Sequence, residues 1–233
     1  MADGTAVLGG PGLFVNRALA AGIDEDVSAA QLADFEEQCR RVGVPPAVEV
    51  TEVTRPSLIE LLGSRGYQAD DQTSVMVRDL AVPSAAPTLD PSLTIEPVED
   101  QTLGEWREAT AVALELTDPA VRRASDAFAR AAHEVDDPGL FLARRHGQPI
   151  GSATLKIRDG MATLGGMSTV SAQRRRGVQT ALVFHRLDAA RAAGCSLAVS
   201  SAEAAGDSER NLLRLGFRRL YTKKSWTRST GSR

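Results

Sequence analysis

The spacing of apolar positions changes several times along the chain, and each change predicts an element. Between Gln31 and Val42, Leu32, Phe35 and Cys39 fall on one face, which predicts an amphipathic helix. Asp24-Glu25-Asp26 and Ser28 supply its start signal, and Gly43 followed by Pro45-Pro46 its stop. Before it, residues 1–12 read as a loop and 14–21 as a short strand. After it come a strand over 48–53, a helix over 58–64 stopped at Gly66, and a β-rich run over 73–80. Residues 81–92 are rich in Pro, Ala and Ser and read as a linker.

Beyond the linker the pattern predicts a strand over 93–98 and a helix over 102–116 carrying Leu103, Trp106, Val112 and Leu116. A second helix starts at Asp118-Pro119 and runs to about His133. Asp136-Asp137-Pro138-Gly139 is a turn. Three strands follow, over 140–145, 150–157 and 161–170, joined by tight turns at 146–149 and 158–160. A long helix, a strand over 196–201, a helix ending near Leu215 and a β-rich run over 224–228 close the chain. Two stretches share a layout of helix, glycine, aromatic residue and strand. One passes through Arg65-Gly66-Tyr67, the other through Leu215-Gly216-Phe217. Residues 13–80 therefore read as a shortened, degenerate copy of the second half of the fold.

Composition adds little beyond a globular chain of one large or two small domains: 233 residues, 42% apolar and 24% charged. No apolar run is long enough to span a bilayer, and the N-terminus lacks a secretory layout, so no membrane association and a cytoplasmic location are expected. Cys39 and Cys195 lie far apart, as buried thiols of a reducing compartment do, and with isolated His133, His146 and His185 they predict no metal site. Charge is uneven: residues 1–90 carry −8 and the remainder +5. A basic second half would steer an anionic ligand. The 4% aromatic content, not interleaved with the basic residues, argues against nucleic acid.

One stretch carries candidate chemistry. From Thr163 to Ala190 an apolar strand enters the turn Gln173-Arg174-Arg175-Arg176-Gly177, then a helix with Val178, Ala181, Leu182 and Leu187 at helical spacing. A helix N-terminus offers unpaired amides and a favourable dipole to an anion, and Gly177 permits close approach.

This stretch resembles the acyl-coenzyme A motif of the GNAT N-acetyltransferase superfamily, Arg/Gln-x-x-Gly-x-Gly/Ala, here Arg174-Arg175-Arg176-Gly177-Val178-Gln179. Gln179 departs from the usual Gly or Ala. Ser208-x-x-Asn211 with Leu215-Gly216-Phe217 resembles the family's closing helix, and the element order over 93–228 is that of the family. The resemblance implies an α/β (α+β) GNAT domain over 93–233, with a mixed central sheet flanked by helices. A smaller α/β lobe over 1–80 and a linker over 81–92 would precede it.

It also implies transfer of an acetyl or other acyl group from acetyl-coenzyme A, without metal, to an amine: a small molecule, or a peptide or protein amino group. The protein would be a monomer or homodimer. The diphosphate would be held by Arg174, Arg175, Arg176, Gly177, Val178, Gln179 and Thr180, with Ser208 and Asn211 facing the cofactor. A backbone N–H at Thr169 or Val170 would polarise the thioester carbonyl. The tyrosine that protonates the thiolate in many relatives is replaced by Leu212, leaving Tyr221 as the candidate acid. Glu108, Glu115 and Glu203 are the carboxylates near the implied cleft, none singled out as base. A non-catalytic acyl-coenzyme A binding protein is the alternative. A nucleotide-binding reading lacks a Walker lysine.

Overall fold

Capping residues and glycine turns set the element boundaries in the computed structural model, which describes residues 1–228 apart from Phe14, Asp71, 83–87, Leu89 and 136–138. The chain divides into two units. The first comprises Met1–Val75, Ala202–Gly206 and the chain from Leu220 on; the second comprises Met76–Ser201 and Asp207–Arg219. They are not contiguous in sequence, and the closing strand, expected with the second domain, belongs largely to the first unit.

In the first unit, β1 (Thr5–Val7) pairs antiparallel with β2 (Arg17–Leu19), and β2 pairs parallel with β3 (Ala47–Thr51). β1 falls where a loop was expected, and the strand expected over 14–21 shrinks to three residues. One side chain accounts for the hairpin. Asn16 Oδ1 accepts the Gly9 and Gly10 amides at 2.8 and 3.2 Å, and its Nδ2 donates to the Gly10 and Leu13 carbonyls at 2.7 and 2.6 Å. The chain is thereby turned back on itself without a two-residue turn motif.

Helix α1 (Ala29–Val42) begins with a capping box, Ser28 with Gln31, and ends at Gly43 in a left-handed conformation. Its buried stripe is Leu32, Phe35 and Cys39, as the spacing predicts. It packs with Leu58 and Leu62 of α2 (Pro56–Ser64) and with Val48 and Val50 of β3. Burial of each large side chain contributes about 1.5–3 kcal/mol. Strand β11 (Arg218–Thr227) runs antiparallel to β3, with Lys223 to Thr227 opposite Thr51 to Ala47, and two-residue β4 (Gln68–Ala69) also pairs with β11. β11 begins six residues before the run expected at 224, because Arg218-Arg219-Leu220-Tyr221 lacks alternation. Strand β5 (Thr73–Asp79) leads from the first unit into the second.

The second unit orders its strands β10-β9-β8-β7-β6: Leu197–Glu203, Met161–Thr169, Gln148–Arg158, Leu140–Arg145 and Leu93–Pro97. The last four are antiparallel neighbours, and β10 joins β9 in parallel. Helices α3 (Leu103–Ala113) and α4 (Pro119–Val135) share a core of Trp106, Ala109 and Ala129 with Leu140 and Leu142. Helix α5 (Val178–Ala192) is buried through Val178, Ala181, Leu182 and Leu187, and α6 (Asp207–Arg214) through Asn211 and Leu212.

Much of the linker (83–87 and 89) and the turn residues 136–138 lie outside the described residues. The two helix–glycine–aromatic joins are alike in geometry. The Tyr67 amide donates to Leu62 O, and the Phe217 amide to Leu212 O, both at 3.0 Å. The Gly66 and Gly216 amides each reach back three residues at 3.1 Å, with φ of 77° and 81°.

Candidate active site

The basic turn and the two helices after it enclose a cleft of about 920 Å³. β9 reaches it with Met167, Ser168 and Thr169, and a 3-10 turn (Ser171–Gln173) leads into the arginines. Gly177 caps α5 at φ 80°, in the left-handed region where glycine costs least. No side chain caps this terminus. The first intrahelical bond runs from the Ala181 amide to Gly177 O at 2.9 Å, so the amides of Val178, Gln179 and Thr180 precede it at the open end of the helix.

Of the residues expected at the cofactor, Thr169, Arg174, Arg175, Gly177, Val178, Gln179, Thr180, Ser208 and Asn211 line the cleft, whereas Val170 and Arg176 do not. The Val170 amide donates to Ile150 O at 2.9 Å, so it is committed to the sheet and is no free oxyanion donor. Arg176 contributes its carbonyl, which accepts from Arg145 Nη2 at 3.0 Å, while Arg145 Nη1 donates to Gln173 Oε1 at 2.7 Å. Gln179, at the motif's departure from Gly or Ala, donates through Nε2 to Ser208 Oγ at 3.3 Å, joining the first turns of α5 and α6.

The lining charge is positive: Arg174, Arg175, Arg210 and Arg214 against Asp207. Asp207 accepts from Arg210 at 2.5 Å, and this bond first, then the Arg210 charge, holds its carboxyl below the usual range. Asn211 is buried and lines this space, and its Nδ2 has no protein partner. A buried unsatisfied donor costs free energy unless a ligand accepts from it. An uncapped helix N-terminus, arginines and an orphan amide donor fit a phosphorylated ligand carrying carbonyl groups.

The sheet is irregular beside the cleft. Ser152 faces Ser168 and Thr154 faces Gly165, so Ala153 stands opposite both Gly166 and Met167 in a bulge. Gly166 has φ 50°, and a Cβ on it would come within 2.8 Å of the Thr154 side chain. Below the bulge, Thr110 Oγ1, Ser152 Oγ and Ser168 Oγ form a buried chain with 2.7 Å links, ending at the Trp106 carbonyl 2.8 Å from Thr110. Thr110 Oγ1 is within donating distance of both the Trp106 carbonyl and Ser152 Oγ, and either serine can donate in the Ser152–Ser168 link.

Tyr221, half-buried on β11, is not among the lining residues, and neither are Glu108, Glu115 and Glu203. Glu108 is ion-paired with Arg122. Sequence reasoning missed Met167, Ser168, Arg210 and Arg214. The last two share a helix face with Asp207 and Asn211 at three- and four-residue spacing, a signal the sequence does carry.

The acetyltransferase (GNAT) family model matches residues 102–217, the segment that builds this cleft. The chain belongs to the GNAT superfamily. Acyl transfer is the general chemistry of that family. Solved GNAT structures share the fold. A GCN5-related N-acetyltransferase from Kribbella flavida is 21% identical with a TM-score of 0.65, over 94% of this chain and 83% of its own. A tandem GNAT protein from the clavulanic acid biosynthesis pathway is 15% identical with a TM-score of 0.66, over 97% and 77%. A GCN5-related N-acetyltransferase from Sphaerobacter thermophilus is 19% identical with a TM-score of 0.67 over 79% of this chain, which spans only 59% of that protein. No curated protein sequence matches the chain. Among the described residues no helix is long and apolar enough to cross a membrane.

Proposed function

We propose that this GNAT protein is an N-acyltransferase that moves an acetyl group from acetyl-coenzyme A to an amine by direct attack in a ternary complex. The observation that carries the reading is the cleft at the open N-terminus of α5, with the orphan Nδ2 of Asn211 beside it. The amides of Val178, Gln179 and Thr180 bind the diphosphate, helped by Arg174 and Arg175. Asn211 Nδ2 donates to a pantetheine carbonyl. The thioester carbonyl lies against the bulge of β9, where Met167 and Ser168 line the cleft and the committed Val170 amide plays no part.

Purified protein should release free thiol from acetyl-coenzyme A in the presence of one member of an amine panel. Calorimetric binding of acetyl-coenzyme A without turnover on any amine would favour a non-catalytic acyl-coenzyme A binding protein. Leu212, 1% exposed at the usual tyrosine position, favours that second reading. Absence of any saturable binding would overturn both.

The proposal extends to the first lobe as a degenerate GNAT half that binds no coenzyme A. The matching joins at Gly66 and Gly216 support it. Calorimetric stoichiometry should then be one coenzyme A per chain, and two would refute it.

A further inference from the structure

Among the described residues, the largest fully buried side chain is a cation, Arg186 of α5, at 1% exposure. Its Nε donates to Leu182 O at 3.0 Å. Nη1 donates to Thr154 O at 2.8 Å and Gly165 O at 3.1 Å, and Nη2 lies 3.1 Å from Met167 Sδ. Every one of these partners is neutral. β7, β8 and β9 contain no Asp or Glu. Asp188, the one acid of α5, is held by Arg191 at 2.8 Å, and Glu96 of β6 by Arg144 at 2.7 Å. The other titratable groups on these elements leave it no counter-charge: His185 sits edge-on to Phe141, Arg145 clasps the basic turn, and Lys156 and Arg158 are exposed. Burial alone pulls the Arg186 pKa down, to about 9, so the group stays charged at neutral pH.

An ionised side chain without a counter-ion is costly to bury, and an apolar residue there would pack at less cost. Position explains what the charge can do. Thr154 and Gly165 are the first pair beyond the bulge, so the guanidinium grips both strands where their register slips. Its other nitrogen touches Met167, which lines the cleft.

We propose that Arg186 is a positioning residue for acyl transfer: it fixes the β9 bulge, and its uncompensated charge sets a positive potential at that end of the cleft, favouring the departing thiolate. This rests on the acyl-coenzyme A reading above. In the step concerned, the neutral amine nitrogen bonds to the thioester carbonyl carbon. The C–S bond breaks, its electron pair leaves with sulfur, and one amine proton passes to water. Leu212 cannot protonate that sulfur, and lowering the energy of the thiolate eases its departure without an acid side chain. In a site screened from water a fixed charge acts more strongly than in solvent.

Coenzyme A itself is the probe. Its thiol, followed through thiolate absorbance during a pH titration, should ionise about one pH unit lower when bound to the wild-type protein than when free, a roughly tenfold larger thiolate fraction below that range. Arg186→Met should abolish the shift, and Arg186→Lys, which keeps the charge but not the fork of bonds, should retain part of it. Equal behaviour of the Met and Lys variants would mean a merely structural role and overturn the proposal. Should Arg186→Met fail to fold, Arg186→Gln takes its place. An unshifted thiol in the bound wild-type complex overturns the proposal whatever the variants do, while leaving the acyl-coenzyme A reading intact. Failure of calorimetry to detect coenzyme A binding would remove that reading itself.

Discussion

Arg145 Nη2 donates to Arg176 O at 3.0 Å while its Nη1 holds Gln173 Oε1 at 2.7 Å, so one buried guanidinium at the end of β7 clasps both ends of the basic turn. The turn contains Arg175 at φ 60°, a conformation that side-chain-bearing residues adopt at a cost. The clasp ties the turn to β7 immediately before the α5 terminus. Arg145→Met should weaken coenzyme A binding by about tenfold or more, since hydrogen bonds from a charged donor contribute about 1.5–3 kcal/mol each. Calorimetry on the folded variant checks this. Unchanged affinity would mean the turn holds its shape unaided.

Asn211 makes the opposite kind of prediction. Its Nδ2 has no partner in the protein, so the free protein bears a desolvation cost that a ligand carbonyl would relieve. Asn211→Leu should leave the melting temperature of the free protein unchanged or raised and lower coenzyme A affinity by about tenfold. A loss of stability without a loss of affinity would show that the amide serves the fold instead.

The contrast between these arginines and the basic turn explains what could be read in advance. Gly177 and the arginines before it form a local pattern, strand to turn to helix, and local patterns survive in one dimension. Arg145 precedes a hairpin turn and looks like an ordinary surface cation, because its partners at 173 and 176 are some thirty residues away. Arg186 left a trace: it lies four residues after Leu182 and eight after Val178, on the buried stripe of α5, where a charge is out of place. The hairpin of β1 and β2 left almost none, since its organiser is the side chain of Asn16 and not a turn dipeptide. The closing strand was legible as a strand but not in its unit, because pairing of Lys223–Thr227 with Thr51–Ala47 joins segments about 170 residues apart.

Cys39 gives a pH dependence. Burial, and then the charge of Glu36, push its thiol up from 9.0 to about 11. Between those values the unfolded chain has lost the proton and the folded chain keeps it. The unfolded state then binds fewer protons, and stability falls as pH rises through that window. Urea midpoints should decline from pH 9 toward 11, and Cys39→Ala should flatten part of that decline while lowering the midpoint at pH 8. Parallel curves for the two proteins would contradict it. The same burial makes Cys39 slow to alkylate until the protein unfolds.

Gly177 and Gly194 bracket α5 and make a matched pair. Their φ values are 80° and 77°, and a Cβ added at either would meet nothing within 4 Å. Alanine at either position therefore incurs the same backbone strain, about 1–2 kcal/mol, with no steric clash inside the protein. The two ends differ in what lies outside. Gly177 lines the cleft, and a methyl group there stands where a diphosphate would approach the first helical amides; Gly194 is not among the lining residues. Gly177→Ala and Gly194→Ala should lower the urea midpoint by similar amounts. Only Gly177→Ala should also weaken coenzyme A binding, by about tenfold or more, a loss equal to at least one charge-assisted hydrogen bond. Equal affinities for the two variants would mean that the anion does not rest on this helix terminus, and the assignment of the cleft would have to be abandoned.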